Sequence, residues 1–393
     1  MAEWLSIIGI GEDGASGLPD ASRQALAAAN VVFGGPRHLA MIEHPDKRPW
    51  PVPFALAPVL ALRGQRVAVL ASGDPFWFGA GGSLARELAP GEWRALPAPS
   101  VFALVAARKG WRLEEVSCHG LHAAPLSRLR PGLAPGARLI VTLRDGKAPA
   151  ALAAYLVETG FSASLVTFFT HLGGPEERVI ATTAGDFDGA VTEDLVVAAL
   201  EIRGVGRAAT LATGRADDLF EHDGQITKRP IRALALSALA PRAGELLWDI
   251  GTGSGSVAIE WLLSHPAMRA IGVEADASRA GRARGNAMRL GTDRLEIREG
   301  RALDVLPALP RPDAVFIGGG ADDNLLNALW ACLPQGVRVV AHGVTLETEA
   351  LLAAWHGARG GQLLRFELAE AVPLGRRRGW KSSYPVVQWC VTR

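Results

Sequence analysis

Cysteine is scarce: three residues in 393, Cys118, Cys332 and Cys390, stand far apart and outside any CxxC spacing. An odd, scattered set builds no disulfide framework and fits a reducing compartment. Cys118-His119 with His122 comes nearest to a ligand cluster, but a complete set is missing and no metal site is expected. Neither sign of charge is in excess, the formal net charge being +1. A nucleic-acid binder neutralises phosphates with a basic surplus, so a DNA or RNA partner is disfavoured. No uncharged apolar run reaches the length of about 20 residues that spans a bilayer. The segment Met1-Ala2-Glu3-Trp4 lacks the basic-then-apolar pattern of a secretion signal. A cytoplasmic protein with no membrane partner is expected.

Hydrophobic residues make up 49% and charged residues 21%, the balance of a compact chain, and the length suits two domains. Strands are expected at Trp4–Ile10, at Arg66–Ala71 and near Arg94–Pro97, with helices near Pro19–Ala29 and Val101–Lys109. After about Arg130 the pattern shifts to Arg138–Leu143, Ser164–Phe169, Arg178–Thr183 and Leu195–Leu200, strands too closely spaced for helices between most of them. The first half thus reads as two α/β lobes, split near 130, with a cleft between them. The stretch Arg203–Gly224 is polar and turn-rich and carries the boundary, near Arg215 to within about ten residues. Domains of 1–206 and 207–393 are expected. In the second, strands at Leu246–Ile250, Ala270–Glu274, Leu295–Glu299, Ala314–Ile317 and Arg338–Ala341 alternate with helices. Leu363–Ala369 and Pro385–Thr392 close the sheet through a loop without a helix. That is a Rossmann-like, mostly parallel seven-stranded sheet of the class I methyltransferase type.

The most informative segment runs from Leu247 to Gly255. A strand ends in Asp249, a turn carries Gly251, Thr252, Gly253, Ser254 and Gly255, and a helix follows. Glycine permits positive φ and a close backbone approach to a ligand. The spacing is GxGxG, not the GxGxxG of dinucleotide sites. A carboxylate at Asp249 suits the ammonium of S-adenosylmethionine better than it suits a pyrophosphate. Glu274, ending the next strand, is placed to accept from ribose hydroxyls. Glu299-Gly300-Arg301-Ala302 is placed to flank the adenine, and Gly318-Gly319-Gly320 leaves room for a large planar substrate where base-methylating enzymes carry Pro-Pro. The loop His342–Glu349, with Glu347, and the run Arg376, Arg377 and Arg378 should project toward this edge. The arginines are either a solvated face or a receptor for an acidic substrate.

Gln225 to Arg232, followed by Leu247–Glu260, resembles the decarboxylating methyltransferase domain of cobalamin biosynthesis. Phe220 to Gly224 looks like its fused form. In the first half Ile8-Gly9-Ile10-Gly11, Ser72 to Gly79 and Leu172 to Arg178 resemble the tetrapyrrole methyltransferase family, although Thr170-His171 departs from its pattern. The resemblance implies a two-lobed fold with S-adenosylmethionine in the cleft, so one donor site per domain. It implies Gly9, Gly11, Gly73, Asp74 and Pro75 as donor contacts in the first domain. In the second it implies Thr227, Gly251 to Gly255, Glu274 and Ala302. It also implies methyl transfer to carbons 5 and 15 of a polycarboxylated corrin precursor, with loss of CO2 from the carbon-12 acetate. Carbon 15 and the decarboxylation fall to the second domain. Relatives of both domains self-associate, so a homo-oligomer is expected.

Methyl transfer from a sulfonium needs the carbon and methyl held in line, a proximity effect worth up to about 7–11 kcal/mol. This agrees with the lack of a nucleophile–base pair in the sequence. With no pyridoxal lysine motif, biotin site or metal cluster legible, the conjugated macrocycle is the expected electron sink for CO2 loss. An NAD-linked oxidoreductase, an RNA or protein methyltransferase and a non-catalytic S-adenosylmethionine sensor are the competing assignments. The first lacks GxGxxG, the second a basic surplus and Pro-Pro, and the third is separated by turnover.

Overall fold

The computed structural model describes residues 3–191 and 193–393. Contacts divide them into two compact units: residues up to Leu126 with Gly132–Ala208, and Ser127–Pro131 with Ala209–Arg393.

The first unit holds two five-stranded sheets. One joins β1 (Leu5–Ile10), β2 (Val31–Gly34), β3 (Lys47–Pro49), β4 (Val67–Ser72) and β5 (Trp93–Leu96) in the order β3-β2-β4-β1-β5. Every pairing in it is parallel. Such sheets are covered on both faces, which is why β1 and β4 read as near-continuous apolar runs. Alternate residues serve two separate cores: Leu5, Ile7, Val67 and Val69 in one, Ile8, Ile10, Ala68 and Leu70 in the other.

The other sheet joins β6 (Ser117–Gly120), β7 (Arg138–Thr142), β8 (Leu165–Thr170), β9 (Arg178–Thr183) and β10 (Val196–Glu201) in the order β6-β7-β10-β8-β9. Only β6 and β7 run parallel; the other pairs are antiparallel. The second lobe therefore starts near Ser117, not near 130. Its opening strand, Ser-Cys-His-Gly, carries none of the β-branched residues that mark a strand.

In the second unit β11 (Leu246–Ile250), β12 (Arg269–Glu274), β13 (Glu296–Glu299), β14 (Ala314–Ile317), β15 (Arg338–Gly343), β16 (Gln362–Phe366) and β19 (Val386–Thr392) form a seven-stranded sheet. Its order is β13-β12-β11-β14-β15-β19-β16. β19 is antiparallel to both neighbours and the first five strands are parallel. Trp248 and Ile250 pack into one core, Leu247 into the other with Ala258 and Trp261 of helix Ser256–Ser264.

The expected plain loop before the last strand is instead a ribbon, β17 (Ala369–Leu374) paired antiparallel with β18 (Arg377–Ser382). The turn residues Gly375 and Arg376 joining alternating segments were the overlooked hairpin signal. The expected loop His342–Glu349 is also shorter. β15 reaches Gly343, and Thr345 caps helix Leu346–Arg359 by accepting from Thr348 N at 3.2 Å.

Candidate active sites

In the second unit the carboxyl ends of the parallel strands meet at the glycine turn. Gly251, Gly253 and Gly255 all adopt positive φ (70°, 55° and 77°), a conformation that side chains disfavour. The turn is tied to the neighbouring strand, Gly251 N and Thr252 N both donating to Val273 O at 2.9 and 3.1 Å. Glu274 accepts from Gly253 N at 2.9 Å through Oε2 and from Asp276 N at 3.0 Å through Oε1. One carboxylate thus spans the glycine turn and the start of the next helix, Ala277–Arg289. Each oxygen keeps a further lone pair for a hydroxyl donor.

Asp249 is tied into the turn. Its side chain is buried, and Oδ2 accepts from Thr252 Oγ1 at 2.8 Å and from Ala258 N at 3.1 Å. Through Oδ2 it braces turn against helix. Burial pushes its carboxyl up to about 6, with the negative charge of Glu274 adding and the two hydrogen bonds opposing. A raised native pKa stabilises the fold fully below the unfolded value near 3.9, and that contribution is lost as pH rises through 6. The shift corresponds to about 3 kcal/mol. Urea unfolding between pH 4 and 7 should show this loss in the native chain. In Asp249→Asn, whose amide oxygen still accepts both bonds, it should be absent. Parallel pH curves for the two proteins would refute the assignment.

Thr252 and Ser254 are buried in the turn, and the Ser254 carbonyl accepts from Asn286 Nδ2 at 2.8 Å. Asn286 also accepts from Glu221 N and donates to Glu221 O, at 2.8 and 2.9 Å, which fastens the segment leading to Thr227. Thr227 is half-buried, its carbonyl accepting from Arg232. Ala302 opens helix Ala302–Val305, half-buried after β13. His342, at the end of β15, is buried with Nε2 on Gln388 Oε1 at 2.9 Å, and burial lowers its pKa. Glu347 is exposed in the first turn of its helix. Arg376, Arg377 and Arg378 are exposed on the β17–β18 ribbon, outside the seven-stranded sheet. The expected convergence of these four on the strand ends has no contact in support of it.

The first unit holds a cleft of about 600 Å³ whose lining takes in Gly11, Ser72 and Gly73 from the ends of β1 and β4, and Thr142 and Val197 from the second sheet. Gly9, Asp74 and Pro75, expected as contacts, are not in that lining. They hold its wall in shape. A Cβ on Gly9 would fall 1.9 Å from Gly73 O and 2.5 Å from Ala98 N, so only glycine lets β1 approach the Gly73 turn. Asp74 closes its own turn by accepting from Phe76 N at 2.8 Å. Pro75 packs its backbone against Gly79 and Gly81.

One polar cluster in this cleft escaped the sequence analysis. Arg37 pairs with Glu12 and donates through Nη2 to His38 Nε2 at 2.9 Å and Ser72 Oγ at 3.1 Å. Burial, then the Arg37 charge, pushes His38 down to about 4, so the ring is neutral at pH 7. With Nε2 accepting, the proton sits on Nδ1, which is buried without a partner. The available signal was position: Arg37-His38 directly follows β2, and ligands gather at the carboxyl ends of parallel strands. Among the described residues no group of His, Cys, Asp or Glu is arranged to hold a metal ion.

A two-lobed α/β unit with a cleft and a Rossmann-like unit with a glycine turn define the class: a two-domain methyltransferase. Residues 5–188 match the family of tetrapyrrole (corrin/porphyrin) methylases, and residues 218–393 match the precorrin methyltransferase domain. Precorrin-6Y C(5,15)-methyltransferase [decarboxylating] from Sinorhizobium sp is 47% identical over 100% of this chain and 97% of its own length. The protein of that name from Mycobacterium tuberculosis is 38% identical over 99% and 100%. The crystal structure of the C-terminal domain of precorrin-6Y C5,15-methyltransferase from Rhodobacter capsulatus is 50% identical, covers 47% of this chain and 100% of that one, and superposes with a TM-score of 0.46. The chain belongs to the precorrin-6Y C(5,15)-methyltransferase (decarboxylating) family.

Proposed function

We propose that the chain methylates carbons 5 and 15 of a precorrin and removes CO2 from its carbon-12 acetate, as a step of cobalamin biosynthesis. The observation that carries this is the collinear match, along the whole chain, to relatives named for both methylations and the decarboxylation. S-adenosylmethionine is the methyl donor of the family. We place one donor site in each unit, at the Gly11–Gly73 cleft and at the Gly251–Gly255 turn, with domains of 1–206 and 207–393. The first unit then serves carbon 5, and the second carbon 15 and the decarboxylation.

Both sites fit the donor. The glycine turn leaves backbone accessible beside a strand-end carboxylate, Glu274, suited to ribose hydroxyls. The cleft has the size of a pocket for one small ligand, for which about 300–1,000 Å³ is usual. When bound, the donor supplies an electrophilic methyl on a cationic sulfonium. The residues of the chain bind, orient and exclude water. Glu274 fixes the ribose end, and the Gly251–Gly255 backbone sets how deeply the donor lies. In the cleft the Glu12–Arg37 pair and neutral His38 provide polar partners within apolar walls. Gly318, Gly319 and Gly320 keep space for the macrocycle after β14. A small acidic tetrapyrrole as partner, with no nucleic acid, is part of the proposal. Among the described residues no helix is long and apolar enough to cross a membrane. A cytoplasmic homo-oligomer is part of the proposal.

Mass spectrometry of the precorrin after incubation with the full chain and S-adenosylmethionine tests it. The expected product has gained two methyl groups and lost one carboxyl as CO2. A product with methyl gain and no carboxyl loss, or no product, would overturn the assignment.

A further inference from the structure

In the second unit the stretch that leads to helix Arg229–Leu239 is fastened by side chains. Phe220 anchors its start, buried in the core with the Arg232 guanidinium 4.8 Å from its ring. Among the described residues, 221–227 make no backbone–backbone hydrogen bond, and Asp223, Gly224 and Gln225 are exposed. An extended strap of this kind keeps its place only through the partners its polar groups find.

Those partners lie in a row along helix Ala277–Arg289. Asn286 bonds both the N–H and the carbonyl of Glu221, and Arg289 donates to the Glu221 carboxylate at 3.0 Å. Nearer the start of the helix, Asp223 Oδ2 accepts from Arg282 at 3.1 Å and from Arg279 Nε at 2.9 Å. Gln225 Oε1 then accepts from Arg279 Nη2 at 2.8 Å. The strap thus climbs from the last turn of the helix to its first, which follows directly on Glu274 and Asp276. At its far end the Thr227 carbonyl accepts from Arg232, whose partner Glu260 belongs to helix Ser256–Ser264. Both helices border the glycine turn. Gly255 opens one of them, and a Cβ on it would stand 3.2 Å from Ala283 of the other. Residues 225–227 are therefore held at the rim of the second donor site.

The two fastenings differ in kind. Asn286 is fully buried and also bonds the Ser254 carbonyl of the glycine turn and Arg289, so both its amide atoms are saturated. Asp223, Arg279 and Arg282 keep 29%, 33% and 27% of their side chains exposed. Ion pairs in contact with water are weak and are screened by salt. The buried amide is a fixed hinge, whereas the ion clasp opens without unfolding. Asp223 serves the clasp alone among the carboxylates and also shapes the turn, its Oδ1 accepting from Gln225 N at 3.0 Å.

We propose that Asp223 is a positioning residue for the methyl donor of the second unit: clasped to Arg279 and Arg282, it holds residues 225–227 at the site and sets how fast the donor leaves. This rests on the donor site placed above at the Gly251–Gly255 turn. Asp223 acts through the strap and does not touch the donor.

The test loads the full chain with radiolabelled S-adenosylmethionine and chases it with unlabelled donor. Asp223→Asn keeps an acceptor for Gln225 N and loses the charge. It should accelerate the release of one of two bound equivalents about tenfold, the scale of two weak ion pairs. The donor KM for carbon-15 methylation should rise by a similar factor, with kcat at saturating donor and the donor KM for carbon-5 methylation within about twofold of the native chain. Arg282→Gln, which removes one of the two pairs, should fall between. Raising the salt from about 20 mM to about 0.5 M should speed the same release in the native chain and leave Asp223→Asn unchanged. Release that responds neither to salt nor to either substitution would overturn the clasp. So would faster release accompanied by an equally lowered unfolding transition of the second unit, which marks plain loss of structure. A native chain that takes up one equivalent of label instead of two would overturn the donor-site reading itself, before any substitution is made.

Discussion

Replacing Glu260 by alanine is expected to destabilise the second unit by about 3–5 kcal/mol, the usual consequence of removing one partner of a buried ion pair. Glu260 is fully buried on helix Ser256–Ser264, as is Arg232 on helix Arg229–Leu239. Arg232 Nε donates to Glu260 Oε1 at 2.6 Å, and the same carboxylate accepts from Gly214 N at 2.7 Å and Arg215 N at 2.9 Å. Arg215, itself buried, lies 3.6 Å from Oε2. Alanine would leave Arg232 Nε and two backbone N–H groups without their acceptor, the guanidinium keeping Asp217 and the carbonyls of Thr227 and Arg215, and water cannot reach the orphaned groups at no cost. In a unit of this size, calorimetry should show its unfolding transition lowered by about 6–20 °C. The transition of the first unit should stay where it is. A lowering of only 1–2 °C would mean that the network is not what holds Gly214–Asp217 to the helices.

Glu274→Ala is expected to abolish one of two donor-binding events. If its carboxylate accepts from two ribose hydroxyls, each charge-assisted bond is worth about 1.5–3 kcal/mol, so affinity should fall a hundredfold or more at that site. Isothermal titration with S-adenosylmethionine should saturate two sites in the native chain and one in the variant. Carbon-15 methylation and CO2 loss should fail at donor concentrations that still support carbon-5 methylation. Because Glu274 also accepts from Gly253 N and Asp276 N, Glu274→Gln separates the roles. It keeps an acceptor oxygen for the turn but lacks the charge, and its donor affinity should fall between the other two. Two intact binding events in Glu274→Ala would remove the ribose role.

The second unit was the more legible of the two in the sequence. Its strands are apolar runs separated by amphipathic helices, and the Asp249–Gly255 turn announces itself by local spacing. Positions alone did not disclose what each polar group does. Asp249 reads as a ligand contact, and its Oδ2 is also a brace between turn and helix; that second role arises only when helix Ser256–Ser264 folds back over it. The Glu12, Arg37, His38 and Ser72 cluster was invisible for a related reason. Its members come from three different strand ends and meet only when β2 and β4 pair. Glu260 gave a weak signal, a lone carboxylate in the apolar helix Ser256–Ser264, but its partners lie far off in sequence, Arg215 in the boundary stretch and Arg232 at the end of the segment that carries the family resemblance. Arg376 to Arg378 present the opposite case. A basic run is conspicuous in sequence, and here it decorates a separate ribbon.

In each of the three larger sheets a strand arriving late in the chain is inserted between two that precede it: β4 between β2 and β1, β10 between β7 and β8, β19 between β15 and β16. β16, lying at the far margin, hydrogen-bonds among the described residues to no strand but β19. During synthesis it must wait as an open edge until the β17–β18 ribbon and then β19 have left the ribosome. Non-local pairing of this kind slows folding and leaves strand edges prone to wrong partners. Insertions or stalls between β16 and β19 should therefore harm the yield of folded chain more than equal changes between β11 and β12, whose pairing is completed by the intervening helix.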